Sequence, residues 1–119
     1  MKDNIILAKS YQLALNIIEA YKHLIYENKE FVLSKQLLKS GTSIGANLEE
    51  SSGGQTGKDF FTKITTSYKE SRETHYWLRL LRDSHFLENK TAEKLIRDCE
   101  ELMRILTAIQ KTLRKKHGI

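Results

Sequence analysis

The sequence predicts an all-α protein folded as an antiparallel, up-down-up-down four-helix bundle. Three observations carry this reading. The 119 residues include no proline, the residue least compatible with helix interiors. Apolar side chains recur at steps of three and four over long stretches, the spacing of one helix face. The alternating runs and tight-turn pairs that mark strands are missing. A chain of this length supports one core and not two, so residues 1–119 are read as a single domain.

The first helix runs from about Asp3 to Glu27. Leu7, Tyr11, Ala14, Ile18, Tyr21 and Ile25 form one stripe. Ile6, Leu13, Ile17 and Leu24 form a second beside it, and together they make a face broad enough for a bundle core. Asn28, Lys29 and Glu30 read as the turn.

The second helix, from about Phe31 to Ser51, presents Leu33, Leu37, Leu38, Ile44 and Leu48, interrupted by Gly41 and Gly45. Each glycine costs on the order of 1 kcal/mol relative to alanine inside a helix. Two of them four residues apart, on one face, point to close approach by a neighbouring helix; a break in the helix is the competing reading.

Residues 51–57 read as a loop, after which Thr56 and Asp59 have capping-box spacing. The third helix then runs to about Ser84 with Phe60, Ile64, Ser67, Ser71, Leu78 and Leu81 inward and Phe61 and Tyr68 at the edge. Thr91 is the expected cap of the fourth helix. That helix carries Leu95, Cys99, Leu102, Leu106, Ile109 and Leu113 on its apolar face and ends by Gly118. Short connections between helices ~37 Å long force antiparallel neighbours.

Composition narrows the function. With 29% charged residues and a mean hydropathy of −0.49, no window reaches the ~20 apolar residues of a membrane span. The start, with Ile5 to Ala8 as its only apolar run, does not resemble a secretory signal, so a cytoplasmic protein is expected. The single Cys99 has no partner for a disulfide or zinc site and reads as a core filler. The net charge is +5. Residues 1–101 balance, so the whole excess lies in Arg104, Lys111, Arg114, Lys115 and Lys116. A basic end suggests an anionic partner, although cations are also favoured at any helix C-terminus.

Catalytic constellations are not found. Gly53 to Lys58 lacks the first glycine and the hydroxyl of a phosphate-binding loop, because Ser52 and Asp59 occupy those positions. No histidine has a carboxylate three residues before it, as a di-iron bundle requires, and Glu19 with His23 reads as a surface pair. Asp83, Ser84 and His85 are sequence neighbours and point in different directions on a helix. The expectation is a non-enzyme without metal or cofactor.

Two surfaces stand out. On the fourth helix Arg97, Arg104, Lys111 and Lys115 fall within about 40° of each other, opposite the apolar stripe, with Arg114 beside them. The ridge extends ~27 Å, enough to follow several phosphates. Glu100 and Glu101 flank it and weaken its field, and a plain solvated face is the competing reading. The ridge contains no aromatic for base stacking, so contact with the backbone alone is expected. On the third helix Tyr76, Trp77 and Leu80 lie roughly 120° to 220° from the core stripe. Large apolar groups there mark a self-association or partner surface, which Gly41 and Gly45 would join if they face outward; a partly covered monomer surface is the competing reading.

The run Phe31 to Glu50, containing Ser43-Ile44-Gly45-Ala46-Asn47, together with Lys58-Asp59-Phe60 and Lys69 to Leu81, resembles the bacterial four-helix-bundle family associated with 23S rRNA intervening sequences. The resemblance covers nearly the whole chain. It implies a small four-helix bundle that assembles into pentameric rings. Its relative, the accessory variability protein of diversity-generating retroelements, implies binding of nucleic acid and of a reverse transcriptase through a basic surface. The resemblance gives Gly45, Asn47, Glu50, Glu70 and Glu73 structural rather than catalytic roles, with Asn47 or Glu50 pairing to Lys69 or Arg72 as a hypothesis. The function expected is therefore a homo-oligomeric bundle that binds RNA or DNA backbone through its last helix. The alternative is an oligomeric scaffold for a protein partner.

Overall fold

The computed structural model describes residues 2–51 and 56–118, with side chains from Ile5 onward. Its elements are four helices in the order α1 (Lys2–Tyr26), α2 (Leu33–Ser51), α3 (Gly57–Asp83) and α4 (Asn89–His117). Most of the loop expected over residues 51–57, including Gly53 and Gly54 of the run compared with a phosphate loop, lies outside the described residues, whereas Gly57 is the first residue of α3. Each helix packs antiparallel on the next, α4 closes on α1, and α1 and α3 sit diagonally across the core. Ile17, Leu24, Leu37, Ile44, Leu78, Leu81 and Leu106 are fully buried there.

Helix ends follow local chemistry. Thr56 caps α3 as expected, accepting a hydrogen bond from the Asp59 amide at 3.0 Å. Gly118, with φ of 65°, ends α4 in the left-handed conformation that glycine adopts without strain. Thr91 does not cap α4, which begins two residues earlier, after Glu88. Leu87 is already anchored in the core at that point, and the Ala92 amide donates to the Glu88 carbonyl at 2.9 Å to close the first turn.

α2 starts at Leu33 rather than Phe31, and the Glu30 side chain is the reason. Its carboxylate accepts from the amides of Val32, Leu33 and Ser34 at 3.2, 3.0 and 2.7 Å, satisfying donors that a helix start leaves open. Partial burial raises the Glu30 pKa, but these backbone bonds outweigh it and hold the carboxyl below its ordinary value of 4.5. A depressed folded pKa means the stabilisation is complete above the ordinary value and is lost as pH falls through the lowered one. Glu30→Ala is expected to cost about 1 kcal/mol at neutral pH and nothing in strong acid, as read by urea unfolding at both.

The glycines of α2 lie inside a continuous helix. A methyl group on Gly41 would sit 2.5 Å from Ile17 Cδ1, and one on Gly45 would sit 3.3 Å from Ser10 Oγ. Both therefore mark close approach of α1, and neither faces outward to serve a partner. Gly41→Val is expected to lower stability by about 1–3 kcal/mol through overpacking. Adding Ile17→Ala, which vacates the clashing atoms, should make the combined loss smaller than the sum of the two single losses.

Small polar side chains complete the α2–α3 contact. Ser67 Oγ donates to the Ile44 carbonyl at 2.8 Å, and the Thr74 hydroxyl lies 2.9 Å from that of Ser40. In α1 the stripe of Ile6, Leu13, Ile17 and Leu24 forms the core. Tyr11, assigned to the neighbouring stripe, is 63% exposed. On α4 Gln110 is buried where Ile109 was expected to be, and its Nε2 donates to Thr65 Oγ1 at 3.1 Å. Cys99 is buried, donates to the Ser71 carbonyl, and has its thiol pushed up to about 12 by burial and by the charges of Glu100 and Asp98. It is an unreactive core thiol. Among the described residues no helix is long and apolar enough to cross a membrane.

Candidate nucleic-acid interface

The cationic ridge of α4 forms as its spacing requires. Arg97, Arg104, Lys111, Arg114 and Lys115 are all exposed. Among the described residues Arg97, Arg104, Lys111 and Lys115 make no ion pair. The two flanking acids are occupied by other helices: Glu101 by Lys9 Nζ of α1 at 3.2 Å and Glu100 by His75 Nε2 of α3 at 2.9 Å. Exposed pairs contribute little stability; Lys9 balances the Glu101 charge, whereas the His75 ring balances Glu100 only when it is protonated. From Arg104 to Gly118 the chain has no acid.

Arg114 differs from its neighbours. Its guanidinium lies over the Phe61 ring of α3, 5.3 Å from the centroid. The corner between α3 and α4 thus brings an aromatic ring to the edge of the ridge. Sequence spacing within one helix could not reveal it.

The second surface is rearranged. Tyr76 is 48% exposed, with the Arg79 guanidinium 5.8 Å from its ring. Trp77 instead leans onto the core, meeting Tyr76 edge-on at 5.2 Å, and its indole Nε1 is buried without a protein acceptor. Leu80 is half-buried. The larger apolar exposure is on α1, where Ile5, Tyr11, Leu15 and Tyr26 are 54%, 63%, 42% and 68% exposed. Leu15 points directly away from the core stripe by helix geometry. A signal for it existed, since the apolar residues of α1 occupy more of its circumference than one bundle core can cover.

The remaining expected groupings do not assemble. Asn47 Nδ2 donates to the Ser43 carbonyl within α2, and Glu50 pairs with Lys63 at 2.6 Å rather than with Lys69 or Arg72. Glu19 pairs with Lys22 at 3.5 Å and not with His23. Asp83 and Ser84, read from the sequence as a helix end and not as a grouping, lie at the end of α3, where Asp83 accepts from Arg82 and the Ser84 hydroxyl is turned to the Leu80 carbonyl. Glu70, at the α2–α3 seam, has its pKa raised by burial and by neighbouring Glu73.

The fold and this surface define a small antiparallel helical bundle whose last helix carries a row of exposed cations, free of acids from Arg104 onward. The chain belongs to the 23S rRNA-intervening sequence protein family, which matches residues 2–108. It is similar to a protein of unknown function from the S23 ribosomal protein family of Bacteroides thetaiotaomicron VPI-5482, solved as a crystal at 1.70 Å resolution. The two are 43% identical, with a TM-score of 0.91 over 93% of this chain and 99% of that one. No curated protein matches the chain.

Proposed function

We propose that the protein is a non-enzymatic, cytoplasmic homo-oligomer that binds RNA or DNA backbone through α4. The observation that carries this reading is the row of four unpaired cations along ~27 Å of one helix face, with Glu100 and Glu101 beside it contacted by His75 and Lys9 of other helices. Such a row attracts phosphates by counterion release and reads no sequence. The test is a titration of labelled RNA at two salt concentrations with the wild type and with a variant in which Arg104, Lys111 and Lys115 become Gln. Equal, weak binding by both would end the reading.

Self-association is supported by the apolar patch of α1 and by the half-exposed Tyr76 of α3. A closed ring needs two different surfaces on each copy, one for each neighbour. The α1 patch around Tyr11 and Leu15 and the α3 patch around Tyr76 lie on diagonally opposite helices, an arrangement that suits head-to-tail assembly and leaves α4 between them open. The resemblance to ring-forming relatives makes five the expected number of copies. The same patches favour a second reading, in which the oligomer is a scaffold for a protein such as a reverse transcriptase and touches no nucleic acid. Retained capture of that partner by the Gln variant would favour it.

A further inference from the structure

We propose that the corner where α3 begins and α4 ends is a base-stacking site, so that the ligand of the ridge is single-stranded RNA rather than duplex. The inference rests on the backbone-binding reading above and adds to it the form of the nucleic acid. Two flat side chains from the last turns of α4, Arg114 and His117, are seated against two residues of the first turns of α3, Phe61 and Gly57. Arg114 lies over the Phe61 ring at 5.3 Å. Gly57 leaves room for the His117 ring, which a Cβ at that position would overlap. The spacings match: Phe61 follows Gly57 by one helical turn, as His117 follows Arg114, so the two pairs meet on facing stripes.

The half-buried Phe61 ring packs against the core and orients a guanidinium whose outer side faces solvent. Bases splayed from a single strand stack on such guanidinium planes and on aromatic rings. Bases inside a duplex are already stacked on each other and offer the protein only their edges and backbone. The electrostatics agree. Lys58, Lys115 and Lys116 are exposed around the corner, and Asp59 projects from the opposite side of α3 to Phe61 by helix geometry. Lys111 and Lys115, on the adjoining side of α4, continue from the corner into the ridge. A strand following the ridge therefore reaches the corner with a base free to stack.

The test uses the full chain and a labelled, unstructured RNA of about twelve nucleotides, alone and annealed to its complement. Arg114→Lys keeps the charge and removes the plane. It should weaken single-strand binding about five- to tenfold while leaving duplex binding, salt dependence and melting temperature unchanged. Phe61→Leu, which keeps apolar packing, should reproduce the single-strand loss. Equal binding of the two RNA forms by the wild type, with Arg114→Lys silent, would remove the stacking site and leave backbone binding standing. Absence of salt-dependent binding to either form would remove both.

Discussion

Leu15→Glu should convert the proposed oligomer to a 13.8 kDa monomer at micromolar concentration without loss of helicity. Leu15 is 42% exposed and lies on the outer side of α1, so the fold does not depend on it. At the centre of an interface between copies, however, a carboxylate would be stripped of water with no partner, at a cost of several kcal/mol. Tyr76→Glu should have the same effect from the other patch. Mixing the two monomeric variants then distinguishes how the copies join. If the α1 patch of one copy meets the α3 patch of the next, each mixed pair has one intact junction and forms a dimer that cannot grow. If α1 packs on α1, Tyr76→Glu alone remains assembled. Light scattering reads all these states, and a wild type that is itself monomeric would contradict the assembly.

The second large effect concerns the ridge. Each phosphate neutralised on a single strand contributes about 0.7 to the slope of log affinity against log salt. Four contacts, at Arg97, Arg104, Lys111 and Lys115, therefore imply about a 50-fold loss for the wild type between about 50 and 200 mM salt. With Arg104, Lys111 and Lys115 changed to Gln, only about threefold should remain, and affinity at the lower concentration should fall roughly 100-fold. These residues are exposed and unpaired within the protomer, so melting should change little. Comparable losses from Lys22→Gln and Lys94→Gln, whose side chains are held by Glu19 and Asp98, would point to diffuse charge instead of a ridge.

What could be read before the structure was what a single helix determines. The four elements, the Thr56 cap, the Gly118 stop and the row from Arg97 to Lys115 follow from spacing along one axis. What could not be read depends on how one helix is rotated against another. α1 has two apolar stripes, and periodicity alone does not say which turns inward; the choice of Ile17 over Tyr11 is made by α2, whose Gly41 admits Ile17. Periodicity alone does not orient the same glycine either: it allows Gly41 to face outward, whereas packing turns it onto Ile17. Measured from the α3 residues that are buried, Trp77 lies only about a quarter turn away, closer than the 120° to 220° range in which it is read with Tyr76 and Leu80, and near enough for a large ring to bend inward. The meeting of Phe61 with Arg114 depends on the register between residues 53 positions apart. Glu30 acted as a helix cap from within what read as an ordinary turn, because its side chain is long enough to reach three amides.

The most direct measurement is the salt dependence of RNA binding for one substitution at mid-ridge, Arg104→Gln, against the wild type. A slope shallower by about 0.7, with an unchanged melting temperature and oligomer mass, is the expected result. An unchanged slope would mean that Arg104 meets no phosphate, and that the cationic face of α4 is not where nucleic acid binds.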